Sequence, residues 1–375
     1  MRGIRAFSDD MAREYSTEVF SDNSIYLRVH IMCHPRGLYL RGLAGSSNVW
    51  FLSVFRVEYS DQIASQSAYM GAAMHKHLLI FNPNSDRGRS GQKAADLRAM
   101  VESLGGADWR GTEYPDHAAE IAAQAEGYAT VVALGGDGTV HEVVNGLMQI
   151  AAERRPKLGI VPIGSGNDFA FAAGVPLDNA QEAVRRALTG APKWVDIGLI
   201  KDGSGRSEYF DNSVGMGFDA AINIRSRQIT FLYGFVMYLS ATLLSIAFSF
   251  DAPRLKVKYD GGSLDQNIMM LTVGNGPREG GGFLTTPHSK IDDGQLEFLY
   301  IQKLSRLKML QLLPKVMQGT HVTDRDVTIK QTTSLILDSD RALPIHIDGE
   351  LFAPYEANVR HVEISLLPKA VQVVV

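Results

Sequence analysis

The chain has 375 residues, 45% of them hydrophobic and 21% charged, which is enough for a large core and too long for one comfortable domain, so two domains are expected. Lys plus Arg number 37 against 41 Asp plus Glu, a net charge of −4; this supplies no global field for a polyanion and argues against nucleic acid as a partner. The one cysteine, Cys33, excludes an internal disulfide framework and a cysteine-rich zinc site, and suits a reducing compartment.

Residues 1–76 carry scattered Arg, Ser and aromatics without a sustained period or a signal-peptide pattern. They are expected to be a poorly ordered extension, or to lie upstream of a true start at Met70 or Met74. From His77 short apolar runs alternate with Gly-rich turns and amphipathic stretches, the texture of a parallel sheet with crossover helices. Central strands are predicted at 77–81, 130–134 and 157–161, and helices at 92–104 and 116–126. After about Trp194 the pattern turns to β, with alternation at 254–259, 295–301 and 343–348. The expected organisation is an α/β domain over 77–200 and a mainly β domain over 201–363, with the apolar end, about 364–375, free to return to the first.

Residues 229–250 carry no charge, a length that meets the criterion for a membrane span. Gly234, Tyr238, Thr242, Ser245 and Ser249 nevertheless trace one helical face, so the segment is two-sided and is predicted to be a packed or interfacial helix.

The strongest chemical signal is Gly135-Gly136-Asp137-Gly138-Thr139, directly after a predicted strand and before a helix whose Val140, Val143, Val144, Leu147 and Met148 share a face. Glycines let backbone pass close to a bulky anion, and a helix start favours phosphate. The embedded Asp137 is suited to holding a cation or taking a proton. Pro162-Ile-Gly164-Ser165-Gly-Asn167-Asp168 repeats the design on the next strand, so two such turns would line one crevice at the carboxyl edge of the sheet. A third turn, Phe81-Asn82-Pro83-Asn84-Ser85, lacks the Gly-Lys-Ser/Thr of a Walker loop, and no turn has the G-x-G-x-x-G spacing of a dinucleotide site. His141-Glu142 begins like a zinc-protease motif but meets Asn145 where the second histidine belongs. In the β half, Asp292-Asp293-Gly294 and Asp348-Gly349-Glu350 are hairpin-turn sequences. Beside a phosphate crevice their carboxylates also suit phosphoryl transfer, which needs metal ligands and a group to orient or deprotonate the attacking hydroxyl.

In this order, Asn82-Pro-Asn-Ser85, Thr112, the Gly135 to Leu147 run, Pro162 to Asp168, Phe210-Asp-Asn212, Gly217-Phe-Asp219, Asn275, Gly280-Gly-Gly282 and Asp348-Gly-Glu350 resemble the lipid kinases related to bacterial diacylglycerol kinase, which share a catalytic domain with sphingosine and ceramide kinases. The resemblance covers His77 to the C-terminus. It implies a phosphofructokinase-like, doubly wound nucleotide domain followed by a β-sandwich, with ATP between them. Nucleotide contacts are then expected from Asn82, Pro83, Asn84, Ser85, Thr112, Gly135 to Thr139, Gly164, Ser165, Asn167 and Asp168. It further implies a magnesium site at Lys290, Asp293 and Gln295, and a general base at Asp348 or Glu350, with Asp137 organising the phosphates. Ser165 stands where the family usually has Thr, and Asp86 where the first motif usually closes with Gly. The implied reaction is ATP- and Mg2+-dependent phosphorylation of a lipid hydroxyl, diacylglycerol giving phosphatidic acid, by a cytoplasmic protein attached to the inner face of the membrane. The alternatives are another acceptor (a sphingoid base, phosphatidylglycerol or NAD) or a non-catalytic nucleotide- or lipid-binding regulator; a homodimer is left open.

Overall fold

The computed structural model describes residues 76–83, 89–229, 231–232, 234–249 and 251–375, together with four strands among the first 75 residues. Residues 1–73 and 74–375 are separate compact units. In the first, β1 (Arg13–Phe20), β2 (Tyr26–His34), β3 (Gly37–Gly45) and β4 (Phe51–Val57) form an antiparallel meander, where the sequence reading expects a poorly ordered extension. A signal was there: Leu27, Val29, Ile31 and Cys33 alternate with Arg28, His30, Met32 and His34, the period of a strand.

The second unit begins with β5 (His77–Phe81), α1 (Arg89–Ser103), β6 (Asp108–Gly111), α2 (His117–Ala123), β7 (Thr130–Gly135), α3 (Asp137–Leu147), β8 (Lys157–Pro162), α4 (Asp168–Ala173) and α5 (Ala180–Thr189). β6, β5, β7 and β8 run side by side and parallel, and β5 and β7 are buried on both faces. Such strands read as continuous apolar runs because crossover helices cover both sides. The alternation on α3 predicts its packing: Val143, Val144 and Leu147 are wholly buried.

The β lobe follows with β9 (Pro192–Asp202), β10 (Ser207–Phe210), β11 (Ser213–Gly217), α6 (Phe218–Ser226), α7 (Gly234–Phe248), β12 (Arg254–Tyr259), β13 (Gly262–Gly274), β14 (Leu296–Gln302), α8 (Arg306–Met317), β15 (Val327–Thr332), β16 (Ser334–Ser339), β17 (Ile345–Ile347), β18 (Glu350–Ala353) and β19 (His361–Val374). Its strands pair antiparallel around a core that includes Phe210, Phe298, Leu337 and Ile345. β19 serves both lobes. Its first half pairs with β16, whereas Val373 and Val374 pair in parallel with Leu158 and Gly159 of β8. β9 runs antiparallel along much of its length, with a shift in register between Leu367 and Val371.

The uncharged segment forms α7, only 15 residues long, and no described helix is long and apolar enough to cross a membrane. Its small and polar face, Thr242 and Ser245, is buried, while Val236, Leu243, Leu244 and Phe248 point outward. The polar face has a charged partner in α6: Arg225 Nε donates to Ser245 Oγ at 3.2 Å and Arg225 Nη2 to Ser249 Oγ at 3.4 Å.

Candidate active site

The two glycine turns leave neighbouring parallel strands and touch. A Cβ on Gly136 would come within 3.2 Å of Gly164 Cα, and one on Gly164 would overlap the Gly136 backbone outright. Only glycine at both positions permits this approach. Asp137 fastens the turns together: its Oδ2 accepts the Asn167 N–H at 2.7 Å and its Oδ1 the Asp168 N–H at 2.6 Å. Both oxygens thus cap the start of α4, a structural role beside the expected one of proton acceptor or cation ligand, and Asp137 still lines the cleft. Burial raises the Asp137 pKa, and these backbone donors oppose the rise.

Asp168 meets the β lobe. Arg278 Nε donates to its Oδ1 at 2.7 Å while Arg278 Nη2 reaches the Gly166 carbonyl at 2.9 Å, and the Gly281 N–H approaches both carboxylate oxygens. Burial first and Asp137 second raise Asp168 to about 7, against the pull of Arg278. Arg278 also lies over the Phe171 ring at 4.1 Å, so it clamps the second turn from across the cleft.

The Asp348-Gly349-Glu350 segment is both a hairpin and part of the site. Asp348 and Gly349 have φ of 49° and 83° and join β17 to β18 as a two-residue turn. The Asp348 carboxylate is fully engaged. Oδ1 accepts the N–H groups of Asn212 at 2.9 Å and Ser213 at 2.7 Å, and Oδ2 accepts that of Asp211 at 3.0 Å. His141 Nδ1 also meets Oδ2 at 2.9 Å, and its Nε2 meets Glu208 Oε1 at 2.9 Å. With a carboxylate on each nitrogen, the ring is a doubly protonated donor. Burial alone would lower the His141 pKa, but the bonds to Asp348 and Glu208 outweigh it and hold the pKa well above 6.5. Glu350, by contrast, is half exposed: Arg227 Nη2 binds its Oε2 at 2.5 Å, and its Oε1 lies where a Cβ on Gly138 would come within 3.0 Å.

These parts enclose a cleft of about 480 Å³ whose lining includes Gly136, Asp137, Gly138, Gly164, Ser165, Asp168, Asp348 and Glu350. The other expected residues stand apart from it. Gly135 ends β7 with Thr139 turned back against it, and Asn167 is buried with Nδ2 on the Gly164 carbonyl at 2.9 Å. Asn82 and Pro83 follow β5, and the Thr112 N–H bonds to the Phe81 carbonyl at 2.9 Å, so these three sit at the sheet edge that carries the glycine turns without lining the cleft. Asn84 and Ser85 lie outside the described residues.

The expected magnesium loop lies outside the cleft lining. Lys290 and Asp293 are exposed, Gln295 is half-buried, and none of them lines the cleft. The loop is tied instead to Asp196, whose Oδ2 accepts the Gly294 N–H at 2.8 Å while Oδ1 accepts that of Lys369 at 2.7 Å. One carboxylate with main-chain carbonyls suits a hard cation, so Lys290, Asp293 and Gln295 fit a cation held on the loop rather than one bridging phosphates in the cleft.

Sequence reasoning missed His141, Glu208, Arg227, Arg278 and Glu279. His141 had been set aside with the failed zinc motif, and the loop residues carry no spacing signal. Glu279 and His346 also line the cleft. Burial, then Asp219, raises Glu279 to about 8, against smaller pulls from His346 and Ser213.

Residues 76–200 match the family described as the diacylglycerol kinase catalytic domain, and 212–375 match the YegS C-terminal NAD kinase beta sandwich-like domain. The diacylglycerol kinase of Mycobacterium tuberculosis is 30% identical over 252 residues, 67% of this chain and 78% of that one. The chain belongs to the diacylglycerol kinase family. A probable lipid kinase, YegS-like, of Chromohalobacter salexigens is 37% identical over 225 residues, 60% of this chain and 70% of that one. A solved diacylglycerol kinase from Bacillus anthracis has the same fold, with a TM-score of 0.60 at 23% identity over 81% of this chain and 97% of that one. This lipid kinase is therefore a phosphotransferase with an alcohol acceptor, and the cleft between its α/β and β lobes is its candidate active site.

Proposed function

We propose that this lipid kinase transfers the γ-phosphoryl group of ATP, with Mg2+, to the hydroxyl of diacylglycerol, giving phosphatidic acid. The observation that carries the lipid acceptor is a second, apolar cavity, lined by Phe218, Ile222, Ile246, Met269, Met309 and Leu312 among others, which shares Tyr238 and Glu279 with the polar cleft. A polar chamber beside an apolar one of about 70 Å³ suits an amphiphile whose hydroxyl must reach a phosphate while the first few methylenes of its chain stay out of water. A soluble acceptor such as NAD makes no use of that cavity.

In this reading the triphosphate lies along the Gly136–Gly138 and Gly164–Gly166 turns, which line the cleft. A divalent cation, when bound, supplies charge neutralisation on the phosphate oxygens. Glu350 takes the hydroxyl proton on Oε1, the deprotonated oxygen attacks the γ-phosphorus, and ADP leaves. Glu350 is preferred to Asp348 because the Asp348 oxygens already accept three backbone N–H groups and His141. Asp348 is then a positioning residue that holds the β17–β18 turn over the glycine turns. The outward face of α7, with Phe248 at 73% exposed, is assigned to the membrane surface on the cytoplasmic side.

The test is labelled ATP with Mg2+ and vesicles containing diacylglycerol. Label is expected in phosphatidic acid, and Glu350→Gln should lower turnover by roughly 10²- to 10⁴-fold with an unchanged melting temperature. Asp348→Asn should lower the melting temperature as well. Label in a soluble acceptor, or full activity of Glu350→Gln, would sink the respective assignment.

A further inference from the structure

Where the polar cleft and the apolar cavity adjoin lie three buried side chains that phosphoryl transfer does not use, Glu279 and His346 lining the first and Asp219 and Glu279 the second. Asp219 on α6, Glu279 in the loop before Gly280 and His346 on β17 are 1%, 4% and 2% exposed. They bring two carboxylate oxygens and an imidazole nitrogen within 4.8 Å of one another. Their hydrogen bonding is incomplete: among the described residues, neither oxygen of Glu279 and neither ring nitrogen of His346 makes a hydrogen bond of good geometry, although Asp219 stands near His346 and Ser213 near Glu279. His346 Nε2 stands 3.5 Å from Asp219 Oδ1, while Asp219 Oδ2 accepts the Thr272 hydroxyl. Buried polar atoms in a folded protein normally find partners, and a cluster that does not calls for something to fill it. Gly215 lies directly against the cluster, since a Cβ there would overlap both His346 Nε2 and Asp219 Oδ2.

We propose that Asp219, Glu279 and His346 form a binding site for a divalent transition-metal cation of the Mn2+ or Zn2+ type, separate from any cation that accompanies the nucleotide. One imidazole nitrogen with two carboxylates is a borderline donor set that suits these ions better than Mg2+. Ligand bonds of about 2.0–2.2 Å require the three atoms to draw together by about an ångström, which side-chain rotation supplies. Entry is open because Glu279 and His346 line the cleft. A bound cation ties together α6, β17 and the Glu279 loop, and so braces both the Asp348 turn and the Gly281 N–H that holds Asp168. The inference stands apart from the identity of the acceptor.

The test needs no kinase assay. Chelator-stripped, nucleotide-free protein is titrated with Mn2+ and followed by electron paramagnetic resonance, with spin-echo modulation reporting nitrogen coupling to the ion. Wild type is expected to bind one Mn2+ per chain with nitrogen coupling, His346→Gln to lose that coupling, and Glu279→Gln to bind at least tenfold more weakly. Asp293→Asn, which removes the carboxylate of the exposed loop, should keep the nitrogen-coupled signal. Mn2+ binding without nitrogen coupling in wild type overturns the site, as does coupling that survives in His346→Gln. Should His346→Gln fail to fold, the wild-type spectrum and Glu279→Gln decide: unweakened binding in the latter means that the triad shares protons rather than a metal.

Discussion

Helix α3 turns Val140, Val143, Val144 and Leu147 inward, whereas α7 buries Ala241 and Ile246 beside polar residues and leaves larger apolar side chains outside. It buries Thr242 and Ser245 and presents Val236, Leu243, Leu244 and Phe248 to the outside. Both have a regular two-sided pattern, so the period alone identifies the faces of each helix without saying which one is inside. The neighbours decide. α3 lies on β7 in an apolar core, whereas the inner face of α7 sets Ala241 and Ile246 into an apolar cluster and its serines against Arg225 of α6, a donor that two serine hydroxyls accept. An apolar face left outside by a lipid kinase is suited to a lipid surface, because burying it there recovers roughly 25 cal/mol per Å².

The contrast breaks most sharply by putting a charge on each helix. Val144→Asp on α3 places an unpaired carboxylate at a wholly buried position, a cost of several kcal/mol, and should abolish the cooperative thermal transition. Phe248→Asp on α7 should leave the melting temperature within a few degrees, since surface changes cost about 0.5 kcal/mol or less. It should also weaken vesicle co-sedimentation roughly tenfold or more, from the lost aromatic burial. An unfolded Phe248→Asp protein would return that face of α7 to the core. A smaller effect comes from the polar side of α3. The folded pKa of His141 lies above its unfolded value near 6.5, so its contribution is complete below that value and is lost as pH rises through the raised one. Melting temperature should therefore fall with pH above about 6.5 more steeply in wild type than in His141→Gln; parallel curves would show that the Asp348 and Glu208 bonds carry no net charge effect.

The α/β lobe was readable because its strands, glycine turns and helices are consecutive. The order of 130–147 places the Gly135–Thr139 turn at a strand end and helix start without help from any distant residue. What is made by contacts between lobes was not readable. The motif Asp348-Gly349-Glu350 was visible, yet nothing local says that one carboxylate is consumed by the N–H groups of 211–213 and His141 while the other stays open. Asp219 closed a quoted motif and His346 stood in the predicted strand 343–348, neither of them weighed, and Arg278 sits in a loop whose partner, Asp168, is far away in sequence. The capping role of Asp137 was unreadable for the same reason: its backbone partners belong to the next turn.

The pairing of β19 with β8 bears on how the protein is made. β8 carries the second glycine turn, and one of its two neighbours in the sheet is supplied only after the whole β lobe has been threaded. During synthesis the α/β lobe therefore waits with a bare strand edge, and it cannot finish folding in the vectorial, one-domain-at-a-time manner common in multidomain chains. A fragment ending near residue 200 would leave that edge permanently open to pairing with another molecule. The sheet that carries the glycine turns is thus completed last, and only in a chain whose β lobe has already been made.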